Sequence, residues 1–174
     1  MPLSFVCGHY TSFSAILNGM IDKTEEQIRA QAAQDNVTHF ATGLAVVRDG
    51  KILIVRRAAH DWLGGEYELP GGGVDDDETI AAGAIRELRE ETGLTVTNVL
   101  GMFDGFDYTT DRKPKVRQIN FLVEVAAGEV TLDPNEHDEY QWVDTQSYKG
   151  VTTSPEIQAC LADAFRMLRP TMTK

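Results

Sequence analysis

GGVDDDETIAAGAIRELREETGL, residues Gly72 to Leu94, is the stretch that decides how this chain is read. Gly72 stands six positions before Glu78 and Glu78 eight before Arg86; then come Glu87, Leu88, Glu90, Glu91, Gly93 and Leu94. Ile80 to Thr92 has helical spacing, because Ala81, Ala84, Ile85 and Leu88 recur at steps of three and four and form an apolar stripe. Glu87, Glu90 and Glu91 share the roughly opposite face, since i, i+3 and i+4 positions are neighbours on a helix. Like charges at that spacing oppose the helix by about 0.2–0.5 kcal/mol per pair, and Arg86, four residues before Glu90, offsets part of this. Asp75, Asp76, Asp77 and Glu78 gather near the helix start, where the dipole favours negative charge, and Gly93 is placed as a C-terminal stop.

Most acidic helix faces are simply solvated. Solvation gives no reason for Pro70-Gly71-Gly72-Gly73 just upstream, nor for Arg86 among the acids. Carboxylates crowded beside a glycine turn suit a hard divalent cation, which takes several oxygen ligands. Mg²⁺ in particular shares its shell with water and substrate phosphate.

The segment resembles the Nudix box of the Nudix hydrolases, G-x5-E-x7-R-E-U-x-E-E-x-G-U with U aliphatic, and every specified position matches. With seven fixed and two aliphatic positions, average composition makes a chance match in a chain of this length rarer than roughly one in a million. The resemblance implies an α/β fold in which a mixed β-sheet is sandwiched between α-helices. That domain would span residues 38–170, with an N-terminal helical extension over 1–37 and a short tail over 171–174. It also implies a reaction: with Mg²⁺, or Mn²⁺ as substitute, water attacks a phosphorus and a P–O–P bridge breaks.

By the same match, Glu90 and Glu91 are the principal metal ligands, and Glu87 either binds metal or acts as general base. The Gly71 carbonyl corresponds to a backbone metal ligand, Arg86 orients the glutamates, and Glu78 ties the loop to the helix, with Gly72 and Gly93 structural. Outside the box, Glu136 in EHDEYQW is similar to a metal-associated or base glutamate of a downstream loop, with Asp138 and Glu139 competing for that role. Arg57 in IVRRAAH matches a substrate-phosphate arginine, Glu68 in YELPGG a polar residue near substrate, and Arg117 reaches phosphates from its strand. A surface arginine or a strand-edge charge is the plain alternative for each of these three.

The rest of the chain sets bounds. Its 174 residues, 42% of them hydrophobic, suffice for one domain with a proper core. A net charge of −11 disfavours nucleic acid polymers as partners, but admits a small anion where metal and arginines supply positive potential. Cys7 and Cys160 give neither a disulfide framework nor metal spacing, so a reducing cytoplasm is expected. No run approaches a membrane span, and the first 22 residues lack the basic region of a secretory signal. His9, His39, His60 and His137 show no ligand spacing and read as solvated or core-satisfied; Trp62 and Tyr108 are candidates to stack on a base, with core or loop packing the preferred reading for either alone. Homodimers are common in the family resembled.

Met1 to Gly19 has no clear period, and Ile21 to Asp35 reads as a helix with Thr24 and Gln27 in a capping-box arrangement. Its apolar side, Ile21, Ile28 and Ala32, is thin, and whether it packs on the domain, exchanges with a partner or lies loose stays open. Strands are expected over Phe40–Val47 and Ile52–Val55 about an Arg48-Asp49-Gly50-Lys51 turn. Others fall at Glu66–Leu69, within Val96–Phe106, and at Val116–Val125 and Glu139–Val143. Pro155 to Leu168 is an amphipathic helix with Ile157, Leu161, Ala164, Phe165 and Leu168 on one side.

Selectivity among relatives lies outside the box. No SQPWPFPxS-like segment follows it, Pro114 is misplaced for the ADP-ribose marker, and Tyr108 is only near the dinucleoside-polyphosphate tyrosine. No asparagine lies in Tyr148 to Ile157, where 8-oxo-dGTP enzymes place theirs. The expectation is therefore a Mg²⁺-dependent pyrophosphohydrolase of a small nucleoside polyphosphate or related diphosphate. An ADP-ribose or nucleotide-sugar pyrophosphatase is the enzymatic alternative, and a catalytically silent nucleotide sensor the alternative from another class.

Overall fold

Two strands joined by a tight turn begin the sheet. β1 (His39–Arg48) and β2 (Lys51–Arg57) meet through Asp49 and Gly50, whose φ values of 51° and 71° are the paired left-handed conformations a two-residue hairpin requires. The computed structural model describes residues 25–109 and 115–169. The expectations for Met1–Gly19, for the Ile21–Thr24 part of the first helix with its capping Thr24, and for Cys7, His9, Pro114 and the tail lie outside those residues.

The remaining elements follow from equally local signals. Helix α1 covers Glu25–Gln34 and β3 the short run Tyr67–Glu68. Helix α2 is Ile80–Thr92. It starts where the Thr79 side chain accepts a hydrogen bond from the Ala82 N–H, and it stops at Gly93, left-handed at φ 69°. Then come β4 (Val96–Phe103), β5 (Asp107–Tyr108), β6 (Val116–Val125), β7 (His137–Val143) and a 3₁₀ turn at Ser147–Gly150. Helix α3 (Pro155–Met167) is capped by Ser154, with proline in its first turn, where a missing N–H costs nothing.

The strands form one mixed sheet in the order β3-β2-β1-β6-β4, with β5 on β6 and β7 on β2. Its centre is the parallel pair β1–β6, running from His39 beside Val116 to Val47 beside Glu124; the other pairings are antiparallel. Both faces are covered, so the central strands are apolar at consecutive positions rather than alternate ones. Leu44, Val46, Leu53, Phe121 and Val123 pack with Ile80, Ala84 and Leu88 of α2 and Ile28 of α1. Ala45, Ile52, Ile54 and Leu122 point the other way, onto Ile157, Leu161, Ala164 and Phe165 of α3. The expected sheet between helices is the observed architecture. Among the described residues no helix is long and apolar enough to cross a membrane.

Polar contacts seat α1 on the domain of its own chain. Its apolar side is thin, Ile28 and Ala32 alone being buried. Glu25 Oε2 accepts the Ile80 N–H at 3.2 Å, Arg29 Nη2 donates to the Glu78 carbonyl at 3.1 Å, and Arg29 lies over the Phe40 ring at 5.1 Å. Helix α1 is thus clamped across the start of α2. Truncating the buried anchor, Ile28→Ala, is expected to lower the unfolding free energy by about 2 kcal/mol or more within a single urea transition. A separate early transition would show that α1 melts independently.

Candidate active site

The glycine loop that leads into α2 lies flush against β1. Leu44 N donates to Pro70 O at 2.8 Å, Thr42 N to Gly72 O at 2.8 Å, and Val74 N to Phe40 O at 3.0 Å. Gly71 sits at φ 143°, and a Cβ there would collide with the Thr42 carbonyl, so only glycine fits. Gly72 makes room for a carboxylate, since a Cβ would fall 2.6 Å from Glu87 Oε2.

Arg86 fastens this loop to the helix. Its Nη2 donates to the Gly73 carbonyl at 2.9 Å and to Glu78 Oε1 at 2.5 Å; its Nη1 reaches Glu87 Oε1 at 2.7 Å and Glu90 Oε2 at 3.1 Å. Hydrogen bonding to Arg86 holds the Glu78 carboxyl below the usual range, and Glu78 in turn accepts the Asp75 N–H at 2.8 Å. The same bonds, Glu78 first, push the Arg86 guanidinium up.

Glu91 is set apart from Glu87 and Glu90, with which it shares the face roughly opposite the apolar stripe in the helical reading. It is 4% exposed, while Glu87 is half-buried and Glu90 exposed. A step of three from Leu88 turns Glu91 only about sixty degrees from the core stripe. The glycine loop then closes over it, and Gly71 N donates to Glu91 Oε2 at 2.7 Å. Burial, reinforced by the carboxylates of Glu68, Glu136 and Glu87 against that one N–H, pushes the Glu91 carboxyl up to about 10. Burial also raises Glu87, against the pull of Arg86.

Distant elements complete the cluster. Glu91, Glu136 and His137 each present a ligand atom within 4.8 Å of the others. His137, 2% exposed at the head of β7, has Nε2 3.1 Å from Glu68 Oε1 and no partner for Nδ1. Glu68 also accepts from Arg57 Nη1 at 2.7 Å, and Arg57 is further bonded to the Trp62 carbonyl at 2.6 Å and to Asp61. Asp138 and Glu139, the competitors of Glu136, turn outward onto Arg56.

Sharing Glu68 and the glycine loop with this cluster is a cleft of about 450 Å³, lined by Gly71–Gly73, Thr42, Arg57 and Glu68. Trp62, Phe106 and Tyr108 supply its aromatic walls, which places Trp62 and Tyr108 at the cleft rather than in the core. Gln118 lines it as well, with its amide fixed by Nε2 donating to Asn120 Oδ1 at 2.8 Å. Arg117 faces elsewhere: its guanidinium is committed to Asp107 at 2.7 Å and Asp35 at 2.9 Å, beside a neighbouring depression. The residue missed from sequence is His137. Its one local signal was adjacency to Glu136.

In the cation-free protein, Glu91 carries a folded-state pKa near 10 against an ordinary value of 4.5. The folded chain therefore holds a proton that the unfolded chain releases in that interval, and stability is lost as pH rises through it. Melting curves without divalent cations should fall from about pH 6 to about pH 9, and the neutral isostere Glu91→Gln should flatten that slope and raise Tm on its alkaline side. An equal slope in the variant would show that another group titrates.

A sequence profile of the NUDIX domain matches residues 37–163. An ADP-ribose pyrophosphatase of Methanocaldococcus jannaschii is 36% identical over 89 residues, 49% of this chain and 50% of that protein. An RNA pyrophosphohydrolase of Acidiphilium cryptum is 34% identical over 121 residues, 58% of this chain and 71% of that one. The chain thus spans about half the length of the first relative and about seven-tenths of the second. Among solved structures, the MutT protein from Methanosarcina mazei Go1 superposes with a TM-score of 0.64 at 26% identity, covering 76% of this chain and 96% of that one. With an intact glycine loop, a matched helix and this shared architecture, the chain belongs to the Nudix family.

Proposed function

We propose that the protein is a divalent-cation-dependent pyrophosphohydrolase that breaks the P–O–P bridge of a small nucleoside polyphosphate or related nucleoside diphosphate derivative by attack of water on phosphorus. The observation that carries this reading is the burial of Glu91 among other carboxylates against the glycine loop, the same loop that lines a nucleotide-sized cleft. A carboxyl driven so far upward is a poor resident of a cation-free interior and a fitting donor to a cation. The donor set is mostly hard oxygen, which suits Mg²⁺, with Mn²⁺ as substitute. The Gly71 carbonyl, Glu87, Glu90 and Glu91 are the residues that would hold it. A bound divalent cation supplies the Lewis acidity that neutralises phosphate oxygens and makes water a better nucleophile.

The chain's own groups then divide the remaining tasks. Glu87, raised by burial, holds a proton more readily than an exposed glutamate and suits the role of accepting one from water; Glu136 is the competing base. Arg57, pinned by Glu68 and Asp61, presents a fixed positive charge at the cleft border for phosphate. Trp62, Phe106 and Tyr108 offer faces on which a base can stack. Arg86 contacts no substrate in this scheme and keeps the carboxylates in place. The M. jannaschii relative supports ADP-ribose as the second substrate class to test. The cytoplasm is the proposed location, supported by the free, buried thiol of Cys160.

Product masses from a panel of nucleoside triphosphates, dinucleotides and nucleotide-sugars test the proposal. Turnover is expected with Mg²⁺ and not with chelator. Glu91→Gln should lower kcat about a hundredfold or more with the fold intact, the size of loss that follows removal of a major electrostatic group. Glu136→Gln should lower it less. Nucleotide binding without product under Mg²⁺ or Mn²⁺ would instead establish a silent sensor.

A further inference from the structure

We propose that Gln118 reads the base of the bound nucleotide, and that it selects a base with an amino group (adenine or cytosine) over the oxo counterpart (hypoxanthine or uracil). The inference rests on the proposed function, because it takes a nucleotide to be what fills the cleft. It starts from a buried amide. Asn120 is 0% exposed in the middle of β6, so its polar atoms need partners within the protein. Its Nδ2 donates to the Asp104 carbonyl at 2.8 Å and to Cys160 Sγ at 3.0 Å. A carbonyl only accepts, so the nitrogen of Asn120 lies on that side and Oδ1 on the other.

Asn120 Oδ1 fixes Gln118 in turn. Gln118 Nε2 donates to it at 2.8 Å, which leaves Oε1 as the free end of the second amide. Strand β1 is shaped around the pair. A Cβ on Gly43 would fall 2.6 Å from Asn120 Oδ1 and 2.7 Å from Gln118 Nε2. Glycine weakens a strand interior, and here the close approach of two amides accounts for it.

The free end lies on the side of the cleft. Gln118 stands beside Ala41 in the parallel pair, and alternation along the two strands puts both on the face of Ala45 and Leu122, which packs against α3. Ala41, Gln118 and Ile157 of α3 all line the cleft. The neighbouring depression, which Gln118 also borders, includes Ile28 and Gln31 of α1 and so belongs to the opposite face. Among the described residues only Arg48 Nη2 and His137 Nδ1 are buried without a partner. Gln118 Oε1 meets no donor among those residues either, so it is open to what enters the cleft and not sealed beneath it.

Aromatic rings stand next to this acceptor. Phe106 O accepts the Gln118 N–H at 2.9 Å, and the Phe106 and Tyr108 rings are 5.8 Å apart. Stacking takes any base, and hydrogen bonds to base edges tell one from another. A fixed amide oxygen receives the amino N–H of adenine or cytosine. At the carbonyl of hypoxanthine or uracil it meets only another lone pair.

Nucleoside monophosphates contain no P–O–P bridge, so they bind without turnover. Titration calorimetry of the full chain in Mg²⁺ should show AMP binding about tenfold more tightly than IMP, and CMP than UMP, the difference between a hydrogen bond made and one refused. Gln118→Met, of similar length but without the amide, should bring each pair to within about twofold by weakening the amino member. A merely structural role would weaken all four alike. Gly43→Ala, which pushes the two amides out of place, should relax the ratio as well and serves if Gln118→Met does not fold.

Equal affinity within both pairs would overturn the proposal, as would failure of all four to bind or a ratio unchanged in Gln118→Met. Turnover is read separately with the triphosphates. Preference for the amino base without hydrolysis upholds this role of Gln118 and fails the proposed reaction; hydrolysis with AMP and IMP bound equally does the reverse.

Discussion

One guanidinium lets this site exist without tearing its own helix apart. Arg86 meets the carboxylates of Glu78, Glu87 and Glu90 and a loop carbonyl at once, so loop and helix are joined through a single planar cation. Each charge-assisted bond of this kind contributes about 1.5–3 kcal/mol when its partner is otherwise desolvated. The planar fork is essential, because a lysine ammonium could not address four acceptors spread across one plane. What surrounds Arg86 is therefore geometry as much as neutralisation: it fixes where Glu87 lies and where the loop turns.

Backbone does the rest of the positioning. Three main-chain bonds zip residues 70–74 onto β1, and glycines at 71 and 72 allow the approach that brings a peptide N–H to Glu91 and leaves space for Glu87. The result conflicts locally with stability, since a carboxylate is buried near three others. Conflicts of that kind concentrate where a protein binds or reacts. The core beneath, with both sheet faces covered, is what holds the conflict in place.

Much of this was legible in the chain. Helix α2 runs from Ile80 to Thr92 as its periodicity requires, and Gly93 ends it, because those signals are local. The Asp49-Gly50 hairpin and the strand at Val116–Val125 were equally readable. Less legible was anything decided by contacts between distant segments. Helix α1 has too little apolar surface to reveal its seat, which Glu25 and Arg29 determine through partners some fifty residues away. Periodicity put Glu91 with Glu87 and Glu90 but could not show that the glycine loop covers it. His137 acquires meaning only from Glu68, and Arg117 is drawn off by Asp35 and Asp107, which no spacing rule connects.

The parallel pair at the centre of the sheet has a consequence for the newborn chain. β1 finds its main partner, β6, only after the whole intervening sequence has been made, while β1–β2 and α2 form from neighbours. Closing so large a loop is slow compared with forming a hairpin or helix. During translation the β6-facing edge of β1 therefore waits unpaired as the ribosome moves on, and such waiting edges are where aggregation begins and chaperones act.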